Sequence, residues 1–242
     1  MRKNCWICGK NADSGEHRYK KSDLKNFYGN KFKEPVLYFR EDDNQMRWVQ
    51  GADSKYFKYE KNLCIECNGS FTQPFDRAYD IFIDWIFNNT DYIFSRRIID
   101  FRRIYGENFG EMQLNLFKYF AKVFGCELSD NPEFSIPRDI LDIIYYKSFN
   151  TGFKVTFSIT ENIKYEKNLK ILGKGEMPFY ISNNGDYAFS GHNYINWFNI
   201  HYWYLIDPEP LLGSEWIGNK QAIYLGSMEI NKSLIKAFQA SY

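Results

Sequence analysis

Two Cys-x-x-Cys pairs, Cys5-Trp-Ile-Cys8 and Cys64-Ile-Glu-Cys67, constrain this chain more than any other feature. Four thiolates on two such knuckles are the donor set of a tetrahedral structural zinc, and a shared ion draws together points separated by 55 intervening residues. A site of four thiolates is coordinatively closed. It staples the chain and leaves catalysis to other residues. The fifth cysteine, Cys126, lies in Val-Phe-Gly-Cys-Glu-Leu with no base beside it and is expected as a small core residue. The spacing of the pairs, the lack of an N-terminal signal segment and the lack of a long uncharged apolar run predict a reducing, cytoplasmic setting. They argue against a disulfide framework and against a membrane span.

At 242 residues with 44% hydrophobic content, the chain is long enough for one large domain, or for a small domain beside a medium one. Aromatic residues reach 19% and crowd the C-terminal half, where they are expected chiefly as packing material. The formal net charge is only +1, but the first 33 residues carry nine Lys and Arg against three acids. That segment is therefore at +6 and the remainder at −5. A basic stretch around a site suits a polyanionic substrate, although a solvated surface accounts for such a run equally well.

From Met1 to about Gly69 the chain is polar and short of helical periodicity, as expected of a loop-rich, metal-held module. Within the excursion, Pro35 to Arg40 and Arg47 to Val49, separated by Glu41-Asp-Asp-Asn44, read as a hairpin. A helix is expected from near Thr72, with Pro74 in its first turn and Phe75, Ala78, Tyr79, Phe82, Trp85 and Ile86 on its apolar face. Further helices are expected over Ile93 to Arg103, over Glu111 to Phe124 with a stop at Gly125, and after Pro137. Beyond Thr151 the pattern turns to strands at Lys154 to Ile159, Phe179 to Ile181, Tyr187 to Phe189, Tyr194 to Ile206 and Ala222 to Leu225. A short helix is expected over Lys232 to Phe238. The expected class is α+β: a small zinc module over residues 1–88, then a helical section and a mainly antiparallel sheet over 89–242.

Around the knuckles stand Ser14-Gly15-Glu16-His17 and, directly after Cys67, Asn68, with Asp76 eight residues further on. In order, spacing and residue type this region resembles the zinc-containing HNH endonucleases with a ββα-metal site, over roughly residues 3–80. The resemblance implies that Glu16, His17 and Asn68 converge, His17 as the general base that deprotonates the attacking water. It implies that Glu16 and Asn68 hold one divalent cation, Mg2+ or Mn2+ given their oxygen donors, with Asp76 an additional ligand or a support to the others. The chain departs from the family pattern where Arg18-Tyr19-Lys20-Lys21 replaces apolar residues and Pro. Asn68 stands for the last histidine, and the middle Asn has no clean equivalent, Asn62 being the nearest.

The resemblance thus implies a hydrolase cutting phosphodiester bonds in nucleic acid, DNA first and RNA not excluded. The C-terminal part would serve target choice, oligomerisation or a protein partner. The competing reading is a zinc-stapled module that binds nucleic acid or protein without cutting. Each candidate residue also has a bland account: Glu16 paired with Arg18 or Lys20, Asn68 as a cap, Asp76 favoured by a helix dipole. Arg96 and Arg103 are placed to share one helical face toward a phosphate backbone, or to pair with Asp100. His192 and His201 are expected as packing or hydrogen-bonding residues of the strands.

Overall fold

The computed structural model describes residues 4–29, 32, 36–40, 45–131, 134–145, 151–163, 172–174, 179–181, 187–204 and 212–229. The expected turn at 41–44 and the expected helix over 232–238 lie outside the described residues.

Residues 14–18 run antiparallel to residues 57–63. Ser14 and Leu63 exchange both backbone hydrogen bonds, Tyr59 N–H donates to Glu16 O at 2.9 Å, and Arg18 N–H donates to Phe57 O at 2.7 Å. Between these two segments lie a helix, α1 (Lys21–Tyr28), and the expected hairpin, β1 (Val36–Arg40) with β2 (Gln45–Val49), in register from Val36↔Val49 to Arg40↔Gln45. The sequence reading missed α1. A wide turn at Cys67–Phe71 then leads into α2 (Gln73–Asn88), with Pro74 in its first turn, where a missing N–H costs nothing. The order is therefore ribbon, ribbon, helix. On α2 the buried face includes Ile83, whereas Trp85 is half-buried and edge-on to Tyr92.

The helix expected over Ile93 to Arg103 is broken in two. α3 (Thr90–Arg96) ends at Arg97, which is left-handed at φ 57°, and β3 (Ile98–Asp100) follows. α4 (Phe101–Tyr105) then restarts on Asp100, whose carboxylate accepts from the N–H groups of Arg102 and Arg103. The break lets β3 pair with β9 (Ala222–Tyr224) and buries Ile99 completely. Arg96 and Arg103 thus share no continuous helix. Arg103 lies over the Tyr92 ring, and Arg102 pairs with Glu107.

α5 (Phe109–Asp130) runs through Gly125, where a stop was expected. The glycine serves close approach: a Cβ there would lie 2.5 Å from the Trp6 indole, whose Nε1–H donates to Cys126 Sγ at 3.4 Å. After Pro137 comes α6 (Arg138–Tyr145).

The large sheet contains β4 (Phe153–Thr160), β5 (Leu172–Lys174), β6 (Phe179–Ile181), β7 (Tyr187–Ile195), β8 (Phe198–Tyr204) and β10 (Gly226–Met228). Its order is β10-β4-β8-β7-β5, with β6 also on β7; every pairing is antiparallel except β10 with β4. The single strand expected from Tyr194 to Ile206 is two, because the chain reverses at Asn196-Trp197. Asn196 takes φ 55°, a conformation Asn tolerates better than most residues.

One sheet face packs on α5 and α2. Phe82 lies 5.5 Å from Phe157 and 5.9 Å from Phe198, and Phe124 lies 5.0 Å from Phe153, so the aromatic excess is indeed core. The other face carries a buried polar set. Ser158 and His201 Nε2 are 2.8 Å apart, and Asn199 donates to Ser158 and Thr160. Burial, and the neighbouring His192, push the His201 imidazole down to about 3, so it stays neutral as a packing and hydrogen-bonding residue.

Asp23 on α1 is buried beside α2 and accepts from the Tyr79 hydroxyl at 2.7 Å. Burial raises its carboxyl to about 7; Asp80 and Asp84 add to the rise, against Lys20 and the Tyr79 bond. The folded chain therefore keeps a proton that the unfolded chain, with an Asp near pKa 3.9, has already released. Stability is expected to fall as pH rises from about 4 to about 7, by on the order of a few kcal/mol for a shift of this size. Asp23→Asn is expected to flatten that slope in thermal melts across the interval and to raise the melting temperature at pH 8. An unchanged slope would show that Asp23 is not its source.

Candidate active site and metal centre

The four Sγ atoms of Cys5, Cys8, Cys64 and Cys67 lie within 4.8 Å of one another, with Cys8 and Cys64 at 3.6 Å. A tetrahedral zinc with bonds of about 2.3 Å sets its sulfurs about 3.8 Å apart, so the donor set and spacing fit that ion. Local backbone builds each knuckle. Gly9, at φ 76°, turns the first one and donates to Cys5 O, and in the second the Cys67 N–H points at Cys64 Sγ, 3.4 Å away. Cys126 stays outside the cluster, fully buried, its thiol pushed up by burial.

From this frame, side chains form two rungs between the first ribbon and the helix. Asn68 Nδ2 donates to Ser14 Oγ at 2.8 Å. Two residues along, on the same side of the ribbon, Glu16 reaches Asp76 through a third group, the ammonium of Lys122 on α5. Lys122 Nζ is 2.6 Å from Glu16 Oε2 and 3.0 Å from Asp76 Oδ1, and its side chain has no exposed surface. The other Glu16 oxygen accepts from the His17 N–H at 2.8 Å. Lys20 pairs with Asp80 at 2.8 Å and donates to the Asp76 carbonyl at 2.6 Å.

Electrostatics follow from that geometry. Burial alone would raise the Glu16 carboxyl; Lys122 more than cancels this and holds it low. Asp76 is raised by burial and by the Glu16 charge, against Lys122. Burial would lower Lys122, yet the two carboxylates hold it above its ordinary value, so the ammonium persists in the interior.

Of the residues singled out in the sequence, the structure thus brings together the four cysteines, Asn68 with Ser14, and Glu16 with Asp76. His17 is set apart. It follows Glu16 on an extended segment, so its side chain leaves from the opposite side. The charges acting on it besides Glu16 are Lys58, Asp53 and Lys21, and burial holds its imidazole below the ordinary value, hence neutral near pH 7. Its Nε2 is buried without a hydrogen-bond partner among the described residues, as is Asn68 Oδ1. Asn62 is buried and donates to Cys126 O and Ser129 Oγ, which ties the second ribbon to the end of α5.

The resemblance implied a second cation, Mg2+ or Mn2+, held by Glu16 and Asn68 with Asp76 in addition; in the structure Glu16 and Asp76 share the Lys122 ammonium, and Asn68 donates to Ser14. Among the described residues, the four thiols are the only group of three or more His, Cys, Asp or Glu ligand atoms so gathered.

Comparisons of the chain with protein-family models, characterised proteins and solved structures return no match.

Two features escaped the sequence reading. One is Lys122, whose position within a helical stretch gave no sign of its partners. The other is a cleft of about 670 Å3 lined by Lys55, Tyr56, Lys58, Tyr59 and Lys61, together with Ser14, Gly15 and Arg18 and the acids Asp13, Glu60 and Asp130; His17 is not part of its lining. Lys55, Lys58 and Lys61 form no ion pair among the described residues, and Lys58 faces His17 across the two ribbons. The run Lys55-Tyr-Phe-Lys58-Tyr-Glu-Lys61, basic residues interleaved with aromatics, was the available signal. By contrast, four of the nine early basic residues are neutralised: Lys10 by Glu66, Arg18 by Asp130, Lys20 by Asp80 and Lys21 by Asp53.

Chelation of the metal is expected to unfold the knuckle region, since structural zinc contributes on the order of 10 kcal/mol of apparent binding free energy. Elemental analysis should find one zinc per chain, and Co2+ substitution should give thiolate charge-transfer absorbance that Cys64→Ser abolishes. A chain that melts identically with and without chelator would refute the staple.

Proposed function

We propose that the chain is a zinc-stapled phosphodiesterase of the HNH type that cuts nucleic acid, with His17 accepting the proton of the attacking water. What carries this reading is the ribbon-ribbon-helix order on a four-thiol cluster, with Glu16-His17 on the first ribbon and Asn68 at the helix entry bonded back to that ribbon. His17 has the properties of a base: neutral near pH 7, with a ring nitrogen that no protein group occupies among the described residues. Lys58, paired with His17 across the ribbons, also lines the cleft in which Lys55 and Lys61 supply further cations for a polyanionic backbone, with Tyr56 in its wall. Glu16 accepts the backbone N–H of His17 and so fixes the ribbon at that point.

The test uses supercoiled DNA and end-labelled RNA with the zinc-loaded chain, with and without added Mg2+ or Mn2+. Nicks or breaks are expected, reduced about a hundredfold or more in His17→Ala at unchanged zinc content, the usual contribution of a general base. Intact substrates in every arm would sink the reading. Equal cutting by His17→Ala would retain the class and remove His17 from its role.

One observation favours the second reading, a module that binds without cutting: the ammonium of Lys122 stands between the two acids that the family resemblance assigns to a catalytic cation. Both readings place the backbone in the lysine cleft. Replacing Lys55, Lys58 and Lys61 together by Ala is therefore expected to reduce the slope of log affinity against log salt by about 2 to 3 on duplex DNA. An unchanged slope would move the binding surface elsewhere.

A further inference from the structure

We propose that Lys122 is the resident cation of the Glu16–Asp76 pair and that it keeps this pair closed to divalent cations. The ammonium lies 2.6 Å from one carboxylate and 3.0 Å from the other. A divalent ion shared by the same two oxygens would stand about 2.0 to 2.6 Å from each, within the space that Nζ fills. The charge count points the same way. Glu16 and Asp76 face Lys122 and Lys20, and Lys20 takes Asp80 as a further partner, so little negative charge is left over to hold a dication.

Lys122 is also badly placed to move aside. It lies within α5 between the buried Ala121 and Val123, with its ammonium 5.4 Å from the centre of the Tyr119 ring. Withdrawal would strip a buried charge of both carboxylates, leave Glu16 without its ion partner and leave Asp76 with Lys20 at 3.9 Å. Lys122 is therefore a positioning residue. It holds Glu16, whose second oxygen binds the His17 N–H, and it ties α5 into the ribbon-ribbon-helix unit. This deepens the phosphodiesterase reading and rests on it only for that consequence at His17.

The test is Mn2+ uptake by the zinc-loaded full chain, read from the loss of the free-ion electron paramagnetic resonance signal. Mn2+, a hard ion, leaves the zinc thiolates in place. The parent is expected to take up no stoichiometric Mn2+ at this pair. Lys122→Met is expected to take up one, about a hundredfold or more tighter, because a nearby positive charge has gone, and to lose it when Glu16→Gln removes an anionic ligand.

Two results would overturn the proposal. One is a parent that binds one Mn2+ which Glu16→Gln or Asp76→Asn removes, an arm that stands even if Lys122→Met does not fold. The other is a folded Lys122→Met that binds no more than the parent. The signal needs no substrate, so a chain that cuts nothing still reports on Lys122. Cutting that depends on Mn2+ held by Glu16 and Asp76 would keep the phosphodiesterase reading while overturning this one.

Discussion

Closure of a 55-residue loop by four sulfur atoms is the constraint from which the rest of the arrangement follows. Without it, pairing residues 14–18 with 57–63 would bear the full entropy of closing that loop against a handful of backbone hydrogen bonds. Once the sulfurs share an ion, the closure is already in place and the ribbons pair at little further cost. The helix entry is then determined as well, since Cys67 is both one of the four gathered thiols and the first residue of the turn that leads into α2. A metal held by four thiolates would be coordinatively closed and would do no chemistry. The thiol cluster fixes how near the first ribbon lies to the helix entry, and so which side chains meet.

What meets there is a buried charge network rather than an open site. An internal ion pair is seldom a net source of stability, because both partners lose their hydration. It is selective, however: an ammonium with two carboxylate partners tolerates few alternative positions in a protein interior. Lys122 brings that selectivity from α5, which otherwise packs on α2 and the sheet through Phe117, Phe120 and Phe124. Further pairs at the end of α5 repeat the connection, Arg18 to Asp130 and Tyr59 to Glu127. The ribbons are thus clamped on the helix by polar contacts, while aromatic packing joins that helix to the sheet.

Local signals were legible where they rest on local physics. The thiol pairs, the hairpin between Val36 and Val49, the start of α2 at Pro74 and the start of α6 after Pro137 could all be read from spacing and turn chemistry. The errors have a common origin in tertiary demand. Gly125 looks like a helix stop until Trp6, more than a hundred residues away, is seen against it. Arg97 adopts a left-handed conformation against its preference because β3 and β9 pair across the break. Lys122 reads as an ordinary helix lysine because nothing in its neighbourhood announces carboxylates 46 and 106 positions away. Lys10, Arg18, Lys20 and Lys21 read as free charges for the same reason, since the acids that neutralise them come from later in the chain.

The first ribbon therefore has two sides with different work. Glu16 faces inward, and its charge is spent on Lys122. His17 leaves from the other side, half-buried and neutral, across from Lys58, which no acid claims among the described residues. In a site that converges on a divalent ion, adjacent acid and histidine would serve one centre, and loss of the ion would disable both. Here the alternation of an extended backbone separates them. The same separation makes the Glu16–Asp76–Lys122 triad a support for the ribbon's position.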